Sequence, residues 1–479
     1  MSWPRGFARL SILIAGLLVG GTLASEVLDD ATPPEDTQPF LIDLHRESVP
    51  IHRRGQVVSY KTSYSGALHA GHPAQEFRVV FDTGSGHVIL PAVECNSEAC
   101  IKHRRYNMSA SDTASAVNSD GTLVLPGELC DQVTIGFGTG EVTGEFVKER
   151  VCLGSVESLQ KESAPCVDMH VVTAVEMSTQ PFKSFDFDGI LGLGLSSLAL
   201  TPNFSFFELM AKGGVRGPTG PSQFAVFLTE GENGEKSEIA FGGYNPARAL
   251  EPLTWAPVAL PELGYWQVEI IALRVDGVEL DVCKDGTCRG VVDTGTSHLG
   301  VPAPHDAEVA ALLTRRAEPE ISDCRLVAAP ELQIEVPGRN LTLRPGSYMR
   351  RLPLREGVNV ASKTGVSLPG AGGAAKGGAT TPSSPGAVAA SMTRLRKKRP
   401  VPEEPGADAP LYCRPRLMPV SMPAPLGPKL FLLGEPVLHQ YYSIFDWRQQ
   451  RVGLALAASD RNRAAATAAA TMASEPLIQ

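Results

Sequence analysis

Two aspartates stand in closely matching surroundings, 211 residues apart, in a chain of 479. The first lies in Phe77-Arg-Val-Val-Phe-Asp-Thr-Gly-Ser-Gly-His-Val-Ile-Leu-Pro91. The second lies in Arg289-Gly-Val-Val-Asp-Thr-Gly-Thr-Ser-His-Leu-Gly-Val-Pro302. Each aspartate follows an apolar pair and opens Asp-Thr-Gly-Ser/Thr. Each has a histidine five residues on (His87, His298) and a proline nine residues on (Pro91, Pro302). An apolar strand buries itself and delivers the carboxylate to a turn. Gly84 and Gly295 allow that turn and a close backbone approach, and Ser85 and Thr296 can hydrogen-bond the carboxylate. One Asp-Thr-Gly is an ordinary turn; two in equivalent contexts are a signal. If symmetry brings Asp82 and Asp293 together, both cannot ionise easily, so one pKa rises and the pair shares a proton. The ionised member can then take a proton from water while the protonated one donates to a carbonyl oxygen. That is general acid–base hydrolysis of an amide, with no covalent intermediate and no metal or cofactor. Asp82 and Asp293 are the candidate catalytic pair, with Thr83, Gly84, Ser85, Thr294, Gly295 and Thr296 in support.

The elements around these motifs read as strands. Short β-rich runs alternate with Gly and Pro punctuation at 77–81, 132–137, 224–228, 333–336 and 452–456, which predicts a mainly β, largely antiparallel protein. Only 204–212 and 305–315 read as helices. Each aspartate motif is followed far downstream by an apolar pair and Gly, Ile190-Leu191-Gly192 and Leu432-Leu433-Gly434. Solenoid repeats recur every 20–50 residues. A period of 211 instead implies two homologous lobes, here 55–247 and 248–459. Residues 352–410 are rich in Gly, Ala, Pro, Ser and Thr and contain the basic run Arg394–Arg399, so they are expected to form a disordered insertion. Residues 460–479 are expected to be a disordered tail.

Composition narrows the setting. Apolar residues make up 43% and charged residues 20%, enough for a sizeable core, and 47 glycines with 38 prolines promise many turns. A formal charge of −9 argues against a nucleic-acid partner. Arg5 and Arg9 precede an apolar run, Leu10 to Leu23, too short to span a bilayer; residues 1–24 read as a secretory signal cut after Ala24. No other segment suits a membrane span once that signal is cleaved. Residues 25–54, ending in Arg53-Arg54, read as a propeptide. Export makes the nine cysteines disulfide candidates. Two pairs lie five apart, a spacing that suits small stapled loops, and zinc-ligand spacing is absent. Sequons at Asn107, Asn203 and Asn340 are compatible with glycosylation.

Together these motifs resemble the pepsin/cathepsin D family of aspartic proteases over about 400 residues. Besides the two Asp-Thr-Gly units, the matching segments are Phe187-Asp-Gly-Ile-Leu-Gly-Leu-Gly194, Gly138-Thr-Gly140 after a β run, Gly264-Tyr-Trp-Gln267, Gln440-Tyr-Tyr-Ser-Ile-Phe-Asp446 and Val452-Gly-Leu454. The resemblance implies a bilobed pepsin-like β fold with a central cleft. It implies Asp82 and Asp293 as the dyad and Phe137, Gly138 and Thr139 as the tip of a flap. Ile89, Phe182, Phe187 and Ile190 would form a pocket for bulky apolar residues at the scissile bond. Cys95–Cys100 and Cys283–Cys288 match the family's small loops, and Cys324–Cys413 its third bridge. Cys130, Cys152 and Cys166 then remain, with Cys152–Cys166 across a hairpin the favoured pairing. Arg and His residues of 40–54 would hold the cleft shut before activation. Three departures stand out. Phe137 replaces the family's usual Tyr, Ile89 its usual Trp, and Glu435 its usual Asp. The first two normally share a hydrogen bond, so their loss looks paired. The reading is a monomeric endopeptidase made as a zymogen and glycosylated, acting on proteins or peptides outside the cell or in an acidic endomembrane compartment. The alternative is an inactive pepsin-fold secreted binding protein.

Overall fold

The computed structural model describes residues 38–53, 56–138, 140–161, 164–213, 222–318, 320–356 and 409–474. The expected signal, 1–24, and most of the expected insertion, including Arg394–Arg399, lie outside the described residues.

The chain is mainly β, as the punctuated apolar runs predict. The expected strands are found at Gln75–Asp82, Val133–Phe137, Gln223–Phe227, Leu332–Val336 and Arg451–Leu456, and the expected helices at Phe206–Ala211 and His305–Leu313. Leu332–Val336 shows the cause plainly: Leu332, Ile334 and Val336 turn inward while Gln333 and Glu335 are half-buried, the period-2 alternation of a strand with one covered face.

The sequence repeat is a repeat of topology. Gln75–Asp82 runs parallel to Gly189–Gly192, which pairs antiparallel with Val88–Pro91. Arg289–Val292 runs parallel to Leu430–Leu433, which pairs antiparallel with Leu299–Pro302. The apolar pair downstream of each motif thus threads between the two strands that flank its aspartate. Val88–Pro91 and Leu299–Pro302 are buried at every position, so these strands read as unbroken apolar runs.

A 14-stranded sheet carries the first motif and runs on to strands from the end of the chain. Gln223–Phe227 pairs with Ser237–Phe241 on one side and Tyr441–Asp446 on the other. Phe224 stacks on Phe445 at 4.6 Å and meets Trp266 edge-on at 5.9 Å, joining distant segments through aromatic contact.

Two expectations need correction. The tail beyond 459 is helical over Asp460–Ser474. Its many alanines are strong helix formers, and its first turn is anchored: Asn462 Nδ2 donates to Ala457 O at 2.9 Å, and Arg461 reaches Glu230 at 2.8 Å. The insertion starts later than 352, because Leu354–Arg355 pairs with Leu411–Tyr412 next to the Cys324–Cys413 bridge. The stretch read as a propeptide supplies strand Phe40–Arg53. Phe40–Leu44 pairs with Ser237–Phe241, and His45–Arg53 with Gln56–Ser65. Ile42 and Leu44 are buried; Leu41 and Asp43 face out. Arg46, one of the basic residues of this stretch, donates to the Tyr64 hydroxyl at 3.3 Å. The structure also joins Cys95 to Cys100, Cys152 to Cys166 and Cys283 to Cys288, and leaves Cys130 as a half-buried free thiol.

Candidate active site

The two threading strands bring the aspartate loops face to face, and the loops grip each other. Thr83 N donates to Thr294 Oγ1 at 3.0 Å, and Thr294 N donates to Thr83 Oγ1 at 3.0 Å. Each hydroxyl then donates across the interface: Thr83 Oγ1 to Val292 O at 2.7 Å, Thr294 Oγ1 to Phe81 O at 2.6 Å. Every polar atom of this buried quartet is satisfied, which fixes the spacing of the aspartates one residue before each threonine.

Backbone amides cradle the carboxylates. Gly84 N donates to Asp82 Oδ1 at 2.9 Å and Gly295 N to Asp293 Oδ1 at 2.8 Å. Only glycine fits there. A Cβ on Gly295 would come within 2.5 Å of Asp82 Oδ1, and one on Gly84 within 2.9 Å of Asp293 Oδ1. The two carboxyls come together at this point: a Cβ on Gly295 would also lie 3.3 Å from Asp293 Oδ1. Burial pushes both above the ordinary aspartate range. The Asp82 charge pushes Asp293 up further, while bonds from Thr296 and Gly295 hold it back. Thr296 Oγ1 donates to Asp293 Oδ2 at 2.6 Å. Ser85 Oγ, buried beside Asp82, draws that carboxyl down but makes no hydrogen bond of normal geometry among the described residues.

A cleft of about 420 Å³ opens over the pair. Phe137, Phe182, Phe187 and Ile190 line it. Phe137 ends strand Val133–Phe137, whose hairpin turns at Gly138 with φ +53° into strand Gly140–Leu153. Its ring meets Phe182 edge-on at 5.9 Å. Thr139 lies outside the described residues.

Ile89 does not line the cleft. It is 1% exposed and packs with Val142, Phe146 and Val172 in the core behind the aromatic wall, because its strand is covered on both faces. Sequence reading also missed Phe185, which lines the cleft and stacks on Phe187 at 5.3 Å; the close spacing of Phe182, Phe185 and Phe187 was the available signal. Glu435 is buried behind the second loop. Its amide donates to Thr296 O at 2.9 Å and its carboxylate meets Arg416 at 3.2 Å. Burial pushes Glu435 up to about 7 against the pull of Arg416.

The chain as a whole is similar to known proteins. Residues 63–357 match the family profile of the eukaryotic aspartyl proteases. The chain is 30% identical to cathepsin E of Rattus norvegicus over 400 residues, covering 82% of this chain and 79% of that protein. It is 29% identical to cathepsin E of Mus musculus over the same shares. It is 33% identical to chymosin of Callithrix jacchus over 293 residues, 60% of this chain and 68% of that protein.

Proposed function

The chain belongs to the eukaryotic aspartyl protease family, and from that premise we propose that it is an endopeptidase whose catalytic groups are Asp82 and Asp293. The observation that carries this reading is the pair of carboxyls brought together at Gly84 and Gly295, held by the reciprocal Thr83–Thr294 bonds and raised in pKa by burial. An inactive binding protein has no use for two carboxyls held together in this way.

Asp293 keeps the shared proton, because Asp82 opposes its ionisation. Asp82 takes a proton from a water, and the resulting hydroxide oxygen bonds to the peptide carbonyl carbon. Asp293 donates its proton to the carbonyl oxygen. Asp82, now protonated, hands its proton to the departing nitrogen as the C–N bond breaks, and Asp293 recovers a proton as the carbonyl reforms. The aromatic wall of Phe137, Phe182, Phe185 and Phe187 suits a bulky apolar side chain beside the scissile bond.

Four disulfides support an oxidising, secretory-pathway setting. Among the described residues no helix is long and apolar enough to cross a membrane. The test is hydrolysis of a denatured protein at acidic pH, with and without a statine-containing inhibitor. Hydrolysis blocked by the inhibitor is the expected result. Hydrolysis that ignores it, or none at all, would overturn the reading.

A further inference from the structure

The cleft has a second wall of different chemistry. Strand Gln56–Ala70 contributes Ser59 and Lys61 to it, two residues apart and therefore on one face. His298, from the second aspartate motif, and Arg350 stand beside them. Arg350 Nη1 donates to Ser59 Oγ at 2.5 Å, and His298 Nε2 lies 3.5 Å from that same oxygen. Asp82 and Asp293 are the only acidic residues lining the cleft among the described residues; Lys61, His298 and Arg350 are the basic ones.

Lys61 is the group on this wall that stands apart. Lys61 is half-buried and has no ion-pair or hydrogen-bond partner among the described residues. Burial alone lowers its pKa, with no carboxylate near enough to raise it. His298 is half-buried and kept neutral by desolvation, and Arg350, Arg416 and Lys61 all oppose its protonation. A flexible ammonium held in a partly dry cleft, with no carboxylate beside it, is stabilised by an anion that arrives with the ligand.

We infer that Lys61, backed by Arg350, forms a subsite that selects peptide substrates carrying a glutamate or aspartate side chain along this wall. The inference rests on the endopeptidase reading and deepens it: the aromatic wall takes the apolar residue at the scissile bond, and the basic wall reads an acidic residue elsewhere along the same extended peptide. A peptide in extended form advances about 3.3 Å per residue with alternating side chains, so one strand can present both.

The test uses peptides with a fixed Phe-Phe scissile pair and a single Glu walked through the flanking positions, each matched to a Gln peptide. Assays run at pH 5.5, where a free Glu is ionised. At one position the Glu peptide should exceed its Gln partner by about tenfold in kcat/KM, mostly through KM, as a partly desolvated ion pair can supply. Lys61→Met should close that gap, and Lys61→Glu should reverse it in favour of a Lys peptide. No position with a Glu preference, or a preference that survives Lys61→Glu, overturns the inference. The same peptide pairs with a statine unit at the scissile position are measured by equilibrium binding to the full chain. If no peptide is cut, the endopeptidase reading fails, and the Glu-over-Gln binding ratio and its loss in Lys61→Met still decide the subsite.

Discussion

Thr83 and Thr294 bond into each other's loops at matching distances, whereas Ser85 and Thr296, two positions further on, do not behave alike. Thr296 holds Asp293 with a bond of 2.6 Å, and Ser85 has no equivalent on Asp82. The histidines at the fifth position diverge more. His87 Nε2 accepts from Leu200 N at 3.0 Å and sits edge-on to Phe204, and burial lowers it to about 4. His298 faces the cleft among cations. The backbone that must deliver two carboxylates to one point is constrained from both lobes at once and has stayed symmetric. Side chains beyond the grip answer only to their own lobe, and there the halves have specialised.

The strongest break in this symmetry would come from the carboxyls themselves. Asp82→Asn and Asp293→Asn should each lower turnover by roughly 10²–10⁴-fold, with circular dichroism showing the fold kept. Near-normal turnover in either variant would mean the two halves do not share the chemistry. Stability should move the other way for Asp293→Asn. A carboxyl whose folded pKa is raised binds more protons folded than unfolded, so stability falls as pH rises from the unfolded value, near 4, through the folded one. Asn carries no such cost. The variant should therefore melt higher than the parent at neutral pH, and the difference should vanish at pH 3. A lower melting point at pH 7 would show that the pair is not strained by ionisation.

The grip offers a test of equivalence. Thr83→Val and Thr294→Val each keep shape but strand the amide of the opposite loop and free a carbonyl. Leaving such buried groups unpaired costs about 1–3 kcal/mol. The two variants should cost the same within error in urea denaturation, because their bonds match. A large difference would place the symmetry in the drawing rather than in the energetics.

A smaller effect separates Ser85 from Thr296. Thr296 lowers the pKa of Asp293 by donating to its charged form. Thr296→Val should raise that pKa, and the alkaline limb of the pH–rate bell should shift upward by about one unit, the scale of one charge-assisted bond. Ser85→Ala should shift the acidic limb less. Equal shifts would show that Ser85 bonds Asp82 during turnover.

Much of this was legible in sequence, for a physical reason. A carboxylate on a turn needs an apolar strand before it and glycine at its back, and both leave a local pattern. The threading strands were legible as well, since Ile190-Leu191-Gly192 and Leu432-Leu433-Gly434 fill fully buried positions. Three features were not. Whether Ile89 faces cleft or core depends on what covers its strand, and no local pattern carries that. The helix at Asp460–Ser474 was hidden by its low complexity, although alanine favours helix strongly; its anchor, Arg461 on Glu230, spans 231 residues. The basic wall was invisible because Lys61, His298 and Arg350 meet only through folding.

The flap should give the smallest effect. Phe137 and Ile89 stand where the family usually has a hydrogen-bonded Tyr and Trp, and the sequence alone suggests that restoring both would couple favourably. The structure argues otherwise. Ile89 is sealed in the core with Val142 and Phe146, while Phe137 packs at the edge of that core against Phe182. A hydroxyl added at 137 projects from a half-buried ring that already has its contact. Phe137→Tyr should therefore change kcat/KM by no more than about twofold, the range of substitutions that disturb no packing. Ile89→Trp adds volume to a filled core and should cost about 1–3 kcal/mol of stability. In a double-mutant cycle read on kcat/KM the two should then be independent, with a coupling energy near zero. A favourable coupling well above error would mean that a Trp at 89 turns out of the core toward the flap, and that the family's bond can form on this backbone.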